Sequence, residues 1–68
     1  MALSVEDREY VLASAVDILR HRKRDRLLEI LRQRLEAGDY LDERERRLDE
    51  IVLALATAID EKLCEQGP

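Results

Sequence analysis

Hydrophobic residues recur at helical spacing in two long segments that are separated by one break. From Val5 to Ala37 no glycine or proline interrupts the chain, and Gly38 then supplies the residue with positive φ that commonly ends a helix. Ser4 has a side chain suited to cap the first segment, and Asp39 or Asp42 can cap the second. The pattern therefore predicts a single domain over residues 1–68, with a helical arm over about 4–37, a turn over 38–42 and a second helix over about 43–65.

The apolar face of the first arm changes direction near residues 21–25. At 100° per residue, the stripe after this region is rotated by roughly 120° from the stripe before it. Two structures fit this pattern: a break that gives three helices in all, or one continuous helix that presents two faces to two neighbours. Arginine and lysine, which fill the junction, are good helix formers and do not decide between them. The stripes are Val5, Leu12, Ala15, Val16 and Leu19 before the junction, and Leu27, Leu28, Leu31 and Leu35 after it.

The second arm carries a heptad-like seam and is unusually apolar. The segment from Ile51 to Ile59 reads IVLALATAI, with Thr57 as its only polar residue. One neighbouring helix can cover only one side of such a segment, so the pattern favours a homodimer with four-helix-like packing of two hairpins. The alternative is a three-helix monomer that wraps the segment. The seam runs through Leu41, Leu48, Val52, Leu55 and Ile59, and the predicted dimer interface is Leu48, Ile51, Val52, Leu55 and Ile59.

Length and composition agree with an all-α fold that associates. With 68 residues the chain buries only about 60% of the surface of its unfolded form. Cys64 is the single cysteine, so no internal disulfide can supplement the core. Two glycines and one proline are too few for the turns of a β-sandwich or barrel. The predicted fold class is all-α: an antiparallel helical hairpin, with a first arm that is either continuous or kinked into two helices, assembled as a dimer.

Positive charge is concentrated in residues 20–26, RHRKRDR, which we call the basic cluster. Residues 20–34 carry a net charge of +5, which leaves −9 for the rest of a chain that totals −4. The cluster could bind nucleic acid, bind an acidic protein, or pair with the acidic residues of a second copy. Phosphate would be repelled by the rest of the chain, so a larger regulatory protein is the expected partner and nucleic acid is not. The candidate partner-binding residues are Arg20, Arg22, Lys23, Arg24, Arg26 and Tyr40, the last an aromatic residue just after the turn.

Candidate chemistry is sparse, which favours a non-enzymatic protein. His21 is the only histidine, and the sequence has neither a CxxC pair nor a glycine-rich phosphate loop. No catalytic, cofactor-binding or metal-ligating residues are predicted, and no cofactor is expected. The acidic N-terminus lacks the pattern of a signal peptide, no apolar stretch is long enough for a membrane span, and a lone cysteine fits a reducing compartment, so the expected location is the cytoplasm.

The stretch LRQRLEAGDYLDE, residues 31–43, resembles a pattern in flagellar anti-sigma factors. In that family a short amphipathic helix ends in Gly-x-Tyr, followed by an apolar residue, an aspartate and another helix. In size, helicity and charge the chain is also similar to short phage-encoded helical proteins that disarm host regulators. Both resemblances imply a small inhibitor of the anti-activator type that blocks a transcription regulator or another host protein. The alternative function is that of a small DNA-binding or antitoxin-like protein that uses residues 20–26.

Overall fold

A computed structural model describes residues 3–65 and shows three α-helices, with no strand in that range. The all-α prediction is confirmed. The helices are α1 (Val5–Arg20), α2 (Arg24–Ala37) and α3 (Glu43–Glu65). The first arm is therefore broken, which is one of the two alternatives that the rotated apolar stripes leave open.

The break between α1 and α2 is a tight turn organised by His21. This residue leaves the helical conformation, with φ −75° and ψ 143°, and its backbone N–H donates to the carbonyl oxygen of Ile18 over 3.1 Å. Its imidazole Nδ1 accepts a hydrogen bond of 3.0 Å from the backbone N–H of Lys23. The turn thus satisfies backbone groups that a broken helix leaves unpaired. α2 then begins without a side-chain cap of its own.

The other helix ends follow the capping residues of the sequence. The hydroxyl of Ser4 accepts a hydrogen bond from the backbone N–H of Asp7 over 3.1 Å at the start of α1. Gly38 ends α2 in the left-handed conformation, with φ 66° and ψ 24°. A carboxylate oxygen of Asp42 accepts from the backbone N–H of Arg44 over 3.0 Å at the start of α3. Ser4 and Asp42 thus accept from backbone N–H groups that have no partner within the helix, and Gly38 supplies the positive φ that ends α2.

The core consists of two layers, each with one buried side chain from every helix. One layer contains Val11, Leu31 and Val52, and the other contains Ala15, Leu28 and Ala56. From the first layer to the second the residue numbers rise in α1 and α3 and fall in α2. Consequently α1 and α3 run in the same direction, and α2 runs antiparallel to both.

Two ion pairs, one at each end of the bundle, join helices that the core layers already bring together. Arg44 of α3 contacts Asp7 of α1 over 2.5 Å at one end. Arg24 of α2 lies 3.1 Å from Asp60 of α3 at the other end. These contacts are partly exposed, so their main effect is to favour one alignment of the helices, with a modest contribution to stability.

The α3 seam faces the other two helices of its own protomer. Val52 is only 2% exposed, which leaves it no surface for a second copy, and Leu48, Ile51 and Leu55 pack against the same core. Ile59 is half-buried, and Leu41, expected to begin the seam, is fully exposed beyond the N-terminus of α3. Because both α1 and α2 cover α3, its apolar character is explained within one protomer. A dimer and its α3 interface stay predictions, and of the five predicted interface residues only Val52 is buried in the protomer.

The buried side of α1 also differs from the predicted one. The expected stripe fails for Val5, Leu12 and Val16, which are 70%, 55% and 44% exposed. Of the predicted stripe Ala15 is buried and Leu19 is half-buried, whereas Val11, which lies outside the stripe, is buried as well, and Ile18 packs against Val11 and Ala15. The helix has apolar residues on two sides, and the fold uses the side that meets α2 and α3.

Candidate protein-binding surfaces

The basic cluster spans the end of α1, the turn and the first turn of α2. Arg20, Arg22, Lys23 and Arg26 are exposed. Within residues 3–65 none of these four cations lies within ion-pairing distance of a carboxylate. The same segment contains the N-terminus of α2, whose helix dipole adds partial positive charge. The turn therefore displays a concentrated positive charge to solvent.

Arg24 belongs to the cluster in sequence but has a structural role. Its Nε lies 3.1 Å from Oδ1 of Asp60, and the side chains are 38% and 19% exposed. Asp60 Oδ1 is buried without a hydrogen-bond partner, so the contact is electrostatic and poorly aligned for hydrogen bonding. Arg24 thus holds the start of α2 against α3. It is not free to bind a partner in the way that the sequence suggested.

Tyr40 is folded onto the bundle. Its hydroxyl donates a hydrogen bond of 2.6 Å to Oδ2 of Asp49, and the guanidinium of Arg34 lies 5.7 Å from the ring centre. Burial and the hydrogen bond to Asp49 raise the pKa of Tyr40 to about 12. These contacts tie the 38–42 turn to α2 and α3, so the tyrosine is half-buried.

Tyr40 and the basic cluster do not form one surface. Tyr40 follows the C-terminus of α2, whereas the cluster surrounds its N-terminus, and a helix of 14 residues is about 21 Å long. An open groove of about 430 Å³ does adjoin Tyr40. Its wall mixes the cations Arg34 and Arg44 with the carboxylates of Asp42 and Asp49, so the groove selects neither an anion nor a cation.

A second surface, which the sequence assigned to the core, lies along α1. Val5, Leu12 and Val16 are exposed, and Leu19 continues the row as a half-buried residue. These four residues, here called the α1 stripe, follow steps of seven, four and three along the helix. This is the spacing at which one helix packs along another. The signal was therefore present in the sequence, but it marks the outside of this fold.

Metal binding and membrane insertion find no support in residues 3–65. In that range no group of three or more histidine, cysteine or acidic side chains is placed to hold a metal ion. Nor does any helix there combine the length and the apolar character needed to cross a membrane. Comparison with protein families, curated proteins and solved structures finds no match to this chain.

Proposed function

We propose that this protein is a non-enzymatic, cytoplasmic regulator that binds a larger regulatory protein and inhibits it in the manner of an anti-activator. The observation that supports this function is the display of Arg20, Arg22, Lys23 and Arg26 at one end of the bundle, with no carboxylate partner among residues 3–65. Cations that are already exposed and unpaired can meet an acidic surface without first breaking contacts in their own protein.

Charge distribution favours an acidic protein over nucleic acid as the partner. The chain is acidic overall, with a net charge of −4, and its positive charge is concentrated in residues 20–26. A folded protein can present one acidic patch to this end, whereas a nucleic acid extends negative charge past the acidic remainder of the chain. The local positive field steers encounter with the patch, and the rest of the molecule disfavours polyanions.

The proposal is tested by reversing three charges that have no structural partner. The variant Arg22→Glu, Lys23→Glu, Arg26→Glu leaves both core layers and Arg24 intact. Glutamate near the start of α2 is compatible with the helix dipole, so we expect a helical content equal to that of the wild type. Host proteins retained specifically by the immobilised wild-type protein are identified by mass spectrometry, and each is then measured for binding in purified form.

A control makes the same change of net charge at exposed arginines elsewhere, in the variant Arg32→Glu, Arg46→Glu, Arg47→Glu, in which Arg32 and Arg46 lose only exposed ion pairs within their own helices. We expect the partner to bind the wild type and the control and to lose affinity for the cluster variant. We also expect the regulatory activity of the partner to fall when the wild-type protein is bound to it. Equal binding of the partner by the cluster variant would show that the cluster is not the docking surface.

The same variants decide the DNA-binding or antitoxin-like alternative. Fluorescence anisotropy with labelled duplex DNA is measured at low and physiological salt. Binding that falls steeply with salt and is lost only in the cluster variant would replace the inhibitor proposal by DNA binding. No DNA binding by the wild type at physiological salt is the expected result.

A further inference from the structure

The protomer exposes more surface than a compact chain of its mass. Its accessible surface is 5591 Å², whereas a folded monomer of 7.9 kDa exposes about 4,400 Å². The five residues outside 3–65 can contribute at most about 800 Å², so an excess of about 400 Å² remains. The core is correspondingly small, because Ala15 and Ala56 are two of its six buried side chains. The fold therefore leaves apolar surface available for association.

Part of this apolar surface lies in one row on the α1 stripe. Leu12 and Val16 are exposed near the middle of α1, and Val5 is exposed at its beginning. On a helix, residues seven, four and three positions apart share one face, so these side chains form a continuous ridge. Ala13 borders the ridge near its centre and is also exposed, and its small side chain allows another helix to approach closely.

The charges beside the stripe complement those of a second copy in one orientation. Glu6 and Glu9 stand near the start of α1, and Arg20 stands at its end. All three are exposed on the same flank of the stripe, by their positions at 100° per residue; Asp17 shares this flank and Arg8 lies on the other. In an antiparallel pair each acidic start lies beside the basic end of the other helix. A parallel two-fold pair would place this flank of the two copies on opposite sides of the interface, so Glu6 of one copy and Arg20 of the other would not meet.

We propose that two copies of this chain associate through their α1 stripes, antiparallel and related by a two-fold axis. When Glu6 of one copy faces Arg20 of the second, the axis passes near Ala13, and Leu12 of each copy packs beside Val16 of the other. The same surface patch then serves both subunits, as a two-fold interface requires. This interface differs from the predicted α3 interface, in which Val52 is buried in the protomer core.

Sedimentation equilibrium tests the interface with a pair of matched variants. Leu12→Asp places a charge in the centre of the stripe, and we expect it to weaken dimerisation by about 100-fold or more with unchanged helicity. Ile30→Asp changes a residue of α2 that is 47% exposed, and we expect it to remain dimeric. A wild-type protein that is monomeric throughout the micromolar range overturns the proposal, as does a dimer that survives Leu12→Asp.

Cysteine cross-linking tests the orientation and does not depend on the Leu12 variant being folded. Glu6→Cys and Arg20→Cys are made separately in a Cys64→Ser background, since Cys64 is exposed and would form cross-links of its own. In the antiparallel pair neither variant alone places its new cysteines together. A mixture of the two brings Cys side chains at positions 6 and 20 into contact across the interface. Cross-linking confined to the mixture is expected, and efficient cross-linking of either variant alone overturns the antiparallel arrangement.

Discussion

Replacing Tyr40 by phenylalanine removes one hydroxyl group and keeps the ring that packs against the bundle. That hydroxyl donates to the Asp49 carboxylate over 2.6 Å. Hydrogen bonds to charged groups contribute about 1.5–3 kcal/mol, and partial exposure of this site places its contribution below that range. We expect Tyr40→Phe to lower the free energy of unfolding by about 1 kcal/mol at neutral pH, out of a total of about 3–10 kcal/mol for a chain of this length.

The same hydrogen bond predicts how stability changes at high pH. The pKa of Tyr40 is raised from 10.0 to about 12 in the folded protein. Between these values the unfolded chain loses the phenolic proton while the folded protein retains it, so unfolding becomes more favourable as the pH rises. The full shift corresponds to about 2.7 kcal/mol, and screening by solvent at a half-exposed site reduces this to about 1 kcal/mol. The advantage of the wild type over Tyr40→Phe is therefore complete below pH 10 and lost by about pH 12.

Urea unfolding followed by circular dichroism at several pH values from neutral to about 12 measures both effects. Taking the difference between the two proteins removes the contribution of lysines, which titrate in both. Tyr10→Phe is the control, because Tyr10 is 50% exposed and its hydroxyl makes no hydrogen bond within residues 3–65. Equal stability of Tyr40→Phe and the wild type across this range would refute the structural role of the hydroxyl. Loss of partner binding without loss of stability would instead support the interfacial role that the sequence suggested.

Three other substitutions test the core, the bundle end and the turn, with urea unfolding as the measurement. Val52→Ala should lower the free energy of unfolding by about 2–3 kcal/mol, because it removes two methyl groups from a side chain that is 2% exposed; a change below 0.5 kcal/mol would place Val52 outside the core. Arg24→Ala should lower the free energy of unfolding by about 1 kcal/mol, because it leaves Asp60 without its cation. Arg26→Ala should change the free energy of unfolding by no more than about 0.5 kcal/mol, and equal effects of the two substitutions would contradict the ion pair. Gly38→Ala should lower the free energy of unfolding by about 1–2 kcal/mol through the positive φ alone, since an added Cβ meets no atom within 4 Å. An unchanged free energy of unfolding would contradict the left-handed conformation.

Helix ends were predictable because they depend on local chemistry. Ser4, Gly38 and Asp42 have the cap positions expected from side-chain oxygens and from the freedom of glycine at positive φ. The break after Arg20 was predicted only as one of two alternatives. The turn depends on one side-chain contact, from the Lys23 N–H to His21 Nδ1, in a segment whose arginines and lysines favour a helix. Helix propensity does not show whether that contact is more stable than one further turn of helix.

The buried face of α1 could not be chosen from periodicity, because two faces of this helix are apolar. Leu12 and Val16 are larger than Ala15, yet the fold buries Ala15 opposite Ala56. Small side chains at these positions let α1 and α3 approach closely, and the fit among three helices determines which face is buried. Hydrophobicity measured along one helix does not contain that information. The larger residues are left on the outside, where they form the surface proposed for a second copy.

The two proposed surfaces have a joint consequence for binding. In the antiparallel pair, residue 22 of each copy lies nine positions from the central residue 13, so the two basic clusters are about 27 Å apart along the helices. Such a dimer suits a regulator that is itself two-fold symmetric, because both clusters can then bind at once and the second contact benefits from a high effective concentration. Leu12→Asp should therefore weaken binding to a dimeric regulator while leaving binding to its isolated monomeric domain unchanged. Reversal of Arg22, Lys23 and Arg26 should weaken both. This difference separates the contribution of dimerisation through the α1 stripe from that of the positive charge of the basic cluster, although both surfaces include part of α1.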